Sequence, residues 1–426
     1  MKRRLKLLEN KVAKFLNRYP FIKDILRNVR HAIYKPKFKF QIPEGLILQP
    51  VESAENEQSF FGYYTNLNAN SKGEFIYHKT LEKERIPPAG SKSTISLFDV
   101  VSGKSTNIAE TSAWNWQQGS MLQWFDEGNR KIIFNDFDTN ENKYITRIVD
   151  VDKQSNYRVF DQAYYTFSNT RGKLFSLNFD RLMKYRPEYG YNCKGNIELP
   201  EEEVDGIWEI DVETGDSQLI IPLSKLRNIA GSDVGPLQWV NHIQLNRSGS
   251  KFIFLNRWFV SDYKFRSRLM LFDLESQELK MLFESDNISH FDWSSEDEII
   301  IWAEVDGEGQ SYKKYDLNQR KFLEIGKKYL YGDGHPSLSR DNEVILSDTY
   351  PDKSRLSTLI LYHHKSDNYQ ELGKFYQPLK FNEEMRCDLH PRWSGFNDYI
   401  TFDSAHSGKR ELYLLNIENP LKNIYG

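Results

Sequence analysis

Val240–Leu255 reads VNHIQLNRSGSKFIFL, in which a histidine leads into a short strand, a polar turn and a second apolar strand. Later segments repeat this order: SHFDWSSEDEIIIWAE (Ser289–Glu304), GDGHPSLSRDNEVILSDT (Gly332–Thr349) and CDLHPRWSGFNDYITFDS (Cys387–Ser404). The four histidines are 48, 45 and 55 residues apart, at positions His242, His290, His335 and His390. A four-stranded propeller blade has about this length. The repeat therefore predicts a β-propeller.

Outer-strand patterns extend the repeat over most of the chain. ISLFDVVSGK, IWEIDVETGD, LMLFDLESQE and LYLLNIEN each join alternating apolar residues to an Asp or Asn and a turn. The predicted blades span 70–112, 113–160, 161–225, 236–286, 287–328, 332–376 and 386–418. The irregular stretch 161–235 also allows six or eight blades. We predict an all-β, seven-bladed β-propeller over 44–420, with a strand near 45–50 closing the ring against the last blade.

Composition agrees with a large β protein. Aromatic residues make up 14% of the chain, which suits pleated strands. The net charge of −3 gives no general attraction to nucleic acid. Two cysteines argue against a disulfide scaffold. We find neither an apolar run long enough to span a membrane nor a secretory signal pattern, so we expect a cytoplasmic protein.

Residues 1–37 differ from the rest because they are rich in Lys and Arg. Apolar residues recur at helical spacing on both sides of Pro20, which predicts two basic amphipathic helices. This short N-terminal helical extension could pack on the propeller or on a partner. Alternatively, residues 1–35 could attach the protein peripherally to the anionic inner membrane surface.

Equivalent positions in successive blades face one channel, so the four histidines should converge at one mouth of the propeller. Arg257 beside Trp258 would suit a carboxylate by bidentate hydrogen bonding. Other candidates have an alternative structural role, as inter-blade packing or solvated surface. They are Trp116, Gln117 and Gln118 for a sugar subsite, Arg186, Arg268 and Arg392 for further substrate contacts, and Tyr189 and Tyr191 in a loop.

The segment RCDLHPRW contains the residues that best suit a metal. Cys387 and His390 lie three apart, and His335 with Asp333 occupies the equivalent place one blade earlier. A thiolate, two imidazoles and a carboxylate form a reasonable shell for a divalent metal such as zinc or manganese. The alternative is that Cys387 is a small buried hydrophobe and that each histidine caps its own blade.

Several motifs resemble those of the seven-bladed propeller polysaccharide lyases, the oligogalacturonate lyases and ulvan lyases. They are NHIQLNRSG, SHFDW, GDGHPSLSRDNEVILSDTYPD, RCDLHPRWS and FDSAHSGKRELYLLN, with WNWQQGSMLQW and RPEYGYN nearer the N-terminus. If the chain resembles the oligogalacturonate lyases, the resemblance implies that His335, Cys387 and His390 bind the metal. It also implies that His290 is an active-site histidine. Arg257 is then the nearest match to the proton-removing arginine, with Arg266 or Arg268 as substitutes. By the ulvan type, Tyr189 or Tyr191 would act with His242.

The resemblance implies an enzyme that cleaves an acidic polysaccharide or oligosaccharide by β-elimination at a uronic acid. A cation must neutralise the sugar carboxylate, a base takes the neighbouring proton and an acid protonates the leaving oxygen. The second hypothesis is a protein of bacterial surface-polysaccharide biosynthesis that binds or modifies a glycan without acting as a lyase. A scaffold for protein partners is the third, and it does not require convergent His and Arg.

Overall fold

The computed structural model describes residues 20–51, 54–126, 128, 130–229, 233–261, 264–305, 307–396 and 398–425. These residues form seven antiparallel sheets in sequence order. The sheets are the blades of a seven-bladed propeller, which confirms the predicted fold class. We number the blades 1 to 7 along the chain.

Each blade is a meander whose first strand begins at the propeller axis. Blade 1 contains β3 (Gln58–Phe60), β4 (Glu74–Thr80), β5 (Ser93–Asp99) and β6 (Lys104–Thr111). Blade 2 contains β7 (Gln123–Asp126), β8 (Lys131–Asp138), β9 (Lys143–Asp150) and β10 (Ser155–Phe160). Blade 3 contains β11 (Thr166–Ser168), β12 (Lys173–Leu177), β13 (Gly206–Asp211) and β14 (Ser217–Pro222). Blade 4 contains β15 (Gln238–Leu245), β16 (Lys251–Ser261), β17 (Lys264–Asp273) and β18 (Leu279–Ser285). Blade 5 contains β19 (Ile288–Trp293), β20 (Glu298–Glu304), β21 (Gln310–Asp316) and β22 (Lys321–Glu324).

Two N-terminal strands complete the last two blades. Blade 6 contains β23 (Ser337–Leu338), β24 (Val344–Asp348), β25 (Leu356–His363) and β26 (Asn368–Tyr376), and β1 (Phe40–Gln41) adds a fifth strand at its outer edge. Blade 7 contains β27 (Arg392–Trp393), β28 (Tyr399–Ser404) and β29 (Glu411–Asn416), and β2 (Leu48–Pro50) supplies its outermost strand. The predicted closing strand is therefore present in β2.

The hairpins between the third and fourth strands of blades 1 to 5 share one turn. An Asp at the end of the third strand accepts backbone N–H groups from the residues that follow it; these residues are Asp99, Asp150, Asp211, Asp273 and Asp316. This carboxylate pattern stabilises tight turns. It accounts for the Asp in the outer-strand patterns of the sequence.

Within the described residues, four α-helices accompany the sheets, and a 3₁₀ turn spans Glu383–Met385. They are α1 (Pro20–Tyr34), α2 (Phe179–Tyr185), α3 (Leu223–Arg227) and α4 (Glu418–Tyr425). Helix α2 begins the insertion that made 161–235 irregular in sequence. Helix α1 matches the second predicted amphipathic helix, while the first lies outside the described residues. Among the helices described, none has the length and apolar character needed to cross a membrane.

The core lies between neighbouring blades. The central strands β16 and β20 are buried over most of their length, which explains their continuous apolar sequences. Trp239 and Trp258 of blade 4 are fully buried. Strand β3 starts blade 1 before the predicted boundary at residue 70, and the chain after it, Phe61–Tyr64, turns in towards the axis with buried aromatic side chains.

Candidate functional site

The four repeat histidines meet at one mouth of the propeller, as predicted. Ring centroids are 5.9 Å apart for His242 and His290, 4.2 Å for His290 and His335, and 4.1 Å for His335 and His390. All four are almost fully buried. One row of imidazoles from blades 4 to 7 therefore lines the axis.

The backbone at these positions departs from regular strand geometry. His242 and His390 have φ values of 54° and 43°, in the left-handed region that non-glycine residues rarely adopt. The residue before His335 is Gly334, where an added Cβ would lie 1.8 Å from the carbonyl oxygen of Asp348. Local strain of this kind concentrates at functional sites. The backbone at His242 and His390 therefore adopts an unusual conformation, and Gly334 allows a close approach to Asp348.

His335, Asp388 and His390 form a group of potential metal donors. One ligand atom from each lies within 4.8 Å of the other two, and all three residues are buried. His390 Nδ1 is a buried atom with no hydrogen-bond partner among the described residues. Two imidazoles and a carboxylate suit zinc or manganese. The Asp388 carboxylate also accepts from Arg386 Nε (2.6 Å) and Nη2 (2.7 Å), so a metal would share it with that guanidinium. With Asp388 shared in this way, the residues present fit a divalent metal.

Asp348 holds this donor group in place. Its carboxylate contacts His335 Nδ1 at 2.8 Å and accepts the backbone N–H groups of His335 (2.7 Å), Leu389 (3.1 Å) and His390 (3.2 Å). A carboxylate on one imidazole nitrogen orients the other nitrogen towards a ligand, which is the usual support of metal-binding histidines. Asp348 thus links the chain segments of blades 6 and 7.

The donor group corrects two sequence predictions. Cys387 does not belong to it, because neighbouring residues of an extended chain point to opposite sides and Cys387 packs with Phe60 and Trp114 in an apolar cluster. Burial raises the pKa of the Cys387 thiol to about 12, so the thiol stays protonated. Asp333 also lies outside the group, and its carboxylate contacts His290 Nδ1 at 3.3 Å.

A cavity of about 240 Å³ opens beside the histidines. Its lining includes four of the predicted catalytic residues and further polar and aromatic side chains. The lining residues used below are Arg186, Tyr189, His242, Arg257, Asp286, His290, Asp333 and Tyr350. His290 lines the cavity, and its ring centroid also lies 4.2 Å from that of His335, so the cavity and the potential metal donors are neighbours.

Two arginines line the cavity, together with the carboxylates of Asp286 and Asp333. Arg257 is buried, donates to Ser267 Oγ (3.0 Å) and to the carbonyl oxygen of Ile288 (2.9 Å), and pairs with no carboxylate among the described residues. Burial and the nearby Arg186 guanidinium lower the pKa of Arg257 to about 10. Arg186 pairs with Glu188, but its Nη1 is buried without a partner. The pair is suited to an incoming anion.

Two tyrosines flank His242. The Tyr63 hydroxyl hydrogen-bonds to His242 Nδ1, and the Tyr189 ring meets the His242 ring edge-on at 5.3 Å. Burial raises the pKa of both tyrosines, so their hydroxyls remain protonated at neutral pH. Tyr191 does not reach the site, since it stacks on Phe179 at 4.5 Å in the core. Of the two predicted tyrosines, only Tyr189 is at the mouth.

The electrostatic environment differs along the histidine row. Burial and the neighbouring positive charges of Arg257 and other groups hold the pKa of His242 well below its usual value. Burial and the nearby His335 also hold the pKa of His390 well below its usual value. Burial disfavours a charged His335, but Asp348 outweighs it and raises the pKa of His335. A neutral His390 is the form that binds a metal.

The other predicted substrate contacts are structural. Trp116 is buried and donates to the carbonyl oxygen of Glu84 at 2.9 Å, so its ring has no free face for a sugar. Arg268 is buried away from the cavity and donates to Asn256 Oδ1 at 2.8 Å. Arg392 is buried against Asp403, with Nη2 to Oδ1 at 3.1 Å. These contacts are all to the protein itself, and Arg268 Nη1 is buried without a hydrogen-bond partner among the described residues.

The two glutamines support the site from behind. Gln117 Nε2 donates to the carbonyl oxygen of Arg386 at 2.6 Å. Gln118 Nε2 donates to the Tyr165 hydroxyl at 2.9 Å, and that hydroxyl oxygen also accepts the backbone N–H of His242 at 3.1 Å. Both side chains are buried, so they position neighbouring residues and do not face the cavity.

Sequence reasoning missed several site residues, namely Tyr63, Tyr64, Asp348, Tyr350 and Asp388. Tyr64 lies against His335 and His390, with ring centroids 5.4 and 6.2 Å away. Tyr350 lines the cavity. Tyr63 and Tyr64 directly follow a strand in FFGYY, which is the only sequence signal that marked them. Asp388 stands two residues before His390, whereas Cys387 stands three before it. Residues two apart in an extended chain lie on the same side, and this spacing was the sequence signal for Asp388 as a metal donor.

The fold and site thus define a seven-bladed propeller with a buried cluster of histidines, arginines and tyrosines at one mouth. The chain is similar to an oligogalacturonate lyase in complex with manganese, at 13% identity over 89% of this chain and 98% of that one, with a TM-score of 0.61. It is also similar to the β-propeller domain of the Trilobed protease from Pyrococcus furiosus, at 9% identity over 85% and 97%, with a TM-score of 0.50. No family model and no curated protein matches. At these identities the likeness shows the fold alone.

Proposed function

We propose that the protein is a polysaccharide lyase that cleaves a uronic acid-containing glycan by β-elimination. One observation carries the proposal: the cavity is lined by a buried arginine without a carboxylate partner and by protonated tyrosines, and its His290 lies against His335 of the His–Asp–His donor group. Elimination next to a carboxylate needs a cation, a base and an acid in one place. The manganese-bound oligogalacturonate lyase adds support through its shared fold.

The sugar carboxylate would bind between Arg186 and Arg257. Arg257 is fixed by Ser267 and by the backbone, so its position needs no rearrangement when substrate binds. The unpartnered Nη1 of Arg186 offers a second donor. Neutralising the carboxylate makes the proton on the adjacent C5 carbon more acidic and stabilises the charge that develops when it leaves.

Two groups compete for the C5 proton. Arg257 has the lowered pKa of a buried guanidinium and matches the arginine of the oligogalacturonate type. As the base it would have to be neutral, and Arg186 alone would then neutralise the carboxylate. His242 is held neutral and contacts Tyr63, as a histidine base would. The C5–H electron pair forms the C4–C5 double bond as the C4–O bond breaks. The protonated Tyr189 hydroxyl can then give its proton to the leaving oxygen.

His335, Asp388 and His390 would hold the metal implied by the fold relative. A divalent ion bound there supplies Lewis-acid stabilisation of negative charge on the substrate. Asp348 keeps His335 and the His390 backbone in register for that role.

The direct test is to incubate purified protein with a panel of uronate polysaccharides and follow the ultraviolet absorbance of the unsaturated product. Arg257→Ala should lower the rate by at least about 100-fold, because it removes transition-state charge stabilisation. Arg266→Ala on the same hairpin is the matched control, since Arg266 is half-exposed and pairs with Glu284 and Asp286. Its rate should stay at the wild-type value.

The same experiment separates the alternative function. Uronate binding that Arg257→Ala abolishes, without any unsaturated product, would support a non-lyase glycan-binding protein of polysaccharide biosynthesis. No binding and no product on any uronate would contradict both proposals. Equal loss of activity in Arg257→Ala and Arg266→Ala would also contradict a specific role for the buried arginine.

A further inference from the structure

Helix α1 packs against the propeller in an unusual orientation. An amphipathic helix of a globular protein normally turns its apolar stripe towards the core. In α1 the polar side meets the propeller, where His31 Nε2 hydrogen-bonds to the Tyr376 hydroxyl and the two rings stack with centroids 6.0 Å apart. The contact fixes α1 at the outer end of blade 6.

The apolar side of α1 is consequently left exposed. Its side chains are between 45% and 76% accessible, at Phe21, Ile25, Leu26, Val29 and Ile33. Positions 21, 25, 29 and 33 follow one another at four-residue spacing, so they form one continuous stripe. Helix α4 provides the contrast, because it buries Ile424 against blade 6.

Positive charge accompanies this stripe. Residues 1–39 contain 13 Lys and Arg but only two acids, Glu9 and Asp24. Their net charge is therefore +11, and since the whole chain carries −3, the remainder carries −14. Among the described residues, Arg30, Lys35, Lys37 and Lys39 are exposed. An apolar stripe flanked by cations is suited to the interface of an anionic membrane.

The stripe lies on the same side of the propeller as the site. His335 directly precedes β23, and the antiparallel order places the end of β24 (Asp348), the start of β25 (Leu356) and the end of β26 (Tyr376) at that same edge. Helix α1 contacts Tyr376 there. The turn 363–368, between β25 and β26, lies at the opposite edge of the blade.

We propose that α1 and the basic segment 35–39 dock the protein on an anionic lipid bilayer, with the mouth of the propeller turned towards that surface. The apolar stripe enters the interfacial region while the lysines contact lipid headgroups. A glycan held at or near the membrane would then meet the site directly.

Vesicle co-sedimentation of the full chain tests the docking. Wild-type protein should bind vesicles containing phosphatidylglycerol, bind pure phosphatidylcholine vesicles much less, and release as salt rises. Phe21→Asp/Ile33→Asp should weaken binding by at least about 10-fold. Val101→Asp/Leu323→Asp is the matched control, because these side chains are 78% and 64% exposed elsewhere on the propeller. It should bind like wild type.

Three outcomes would overturn the proposal. The first is that wild type fails to bind anionic vesicles, and the second is that the α1 variant binds as tightly as wild type. The third is that light scattering shows a dimer which the α1 variant converts to monomer, without vesicle binding, and this result assigns the stripe to a second copy. Hydrogen exchange on vesicles tests the orientation: protection should appear at 350–355 and not at 363–368, and the reverse would refute a membrane-facing mouth.

Discussion

Asp388 and Cys387 are neighbours in the chain but occupy different environments. Asp388 joins His335 and His390 in the group of potential metal donors, whereas Cys387 lies in an apolar cluster. We predict that Asp388→Asn weakens Mn²⁺ binding by at least about 10-fold, because it removes a charged ligand. Isothermal titration calorimetry of protein pretreated with a chelator measures this.

Cys387→Ala is the control for that substitution. It should leave Mn²⁺ affinity unchanged and lower the free energy of unfolding by about 1 kcal/mol through lost packing. If Cys387→Ala reduces Mn²⁺ affinity as strongly as Asp388→Asn does, the donor group is misassigned.

At this scale the sequence identified the histidines but not all of their partners. His335 and His390 could be predicted because their positions repeat. Only the two-residue spacing from His390 distinguished Asp388 from Cys387, because it places Asp388 and His390 on one side of the chain if the segment is extended. Asp348 reaches the site from the far end of a different strand, and no local pattern marks such a contact.

At the scale of elements, a buried ion pair positions the segment after β3. Arg392 contacts Asp403, and Arg392 Nη1 donates to the carbonyl oxygen of Gly62 at 2.9 Å. The Asp403 carboxylate accepts the backbone N–H groups of Phe61 and Gly62, both at 3.0 Å. Gly62 has φ 109°, and a Cβ there would lie 2.7 Å from the Gln118 backbone. This turn delivers Tyr63 to the site.

Arg392→Met should therefore be strongly destabilising. It leaves the Asp403 charge buried and without its cation, for which a cost of about 3–5 kcal/mol is typical. Chemical denaturation measures the change. Arg266→Met, which breaks an exposed pair on blade 4, should cost less than about 1 kcal/mol. Similar losses in the two variants would show that the Arg392 pair is not structurally important.

The strands were predictable from alternation and turn residues, but the use of individual side chains was not. Arg257 and Arg392 both lie on strands, and both are buried. Asp403, on the neighbouring strand of blade 7, makes Arg392 structural, whereas Arg257 has no such carboxylate in the part of the chain that the structure describes and faces the cavity. The further contact of Arg392 with the carbonyl oxygen of Gly62 depends on packing between blades 1 and 7, which a single sequence does not reveal.

At the scale of the whole molecule, Asp292 joins three blades. It accepts from Gln244 Nε2 of blade 4 (2.6 Å) and from the backbone N–H groups of Trp293 in blade 5 (2.8 Å) and Leu338 in blade 6 (2.8 Å). Burial raises the pKa of Asp292 to about 6. The folded protein therefore binds this proton more tightly than the unfolded chain.

This shift has a defined sign for stability. Between the unfolded value near 4 and the folded pKa of about 6, the free energy of unfolding should fall as pH rises, by up to about 3 kcal/mol. Asp292→Asn should remove this decrease in the free energy of unfolding with pH. The variant also replaces one carboxylate acceptor with an amide N–H₂ group. Denaturation at several pH values tests this. Asp297→Asn, at the neighbouring hairpin, is the control and should keep the wild-type dependence of the free energy of unfolding on pH. If Asp292→Asn also keeps that dependence, Asp292 is not the group responsible for it.

Ring closure depends on β2, which pairs with β29 through Leu48–Leu415, Gln49–Leu414 and Pro50–Tyr413. Without β2, blade 7 would have three strands and an exposed edge. Removing residues 1–39 should leave the thermal transition nearly unchanged, because β1 and β2 remain. Removing residues 1–50 should lower it markedly and speed hydrogen exchange in β29. Equal transitions for the two truncations would show that the propeller closes without β2, by contacts between blades 1 and 7 alone.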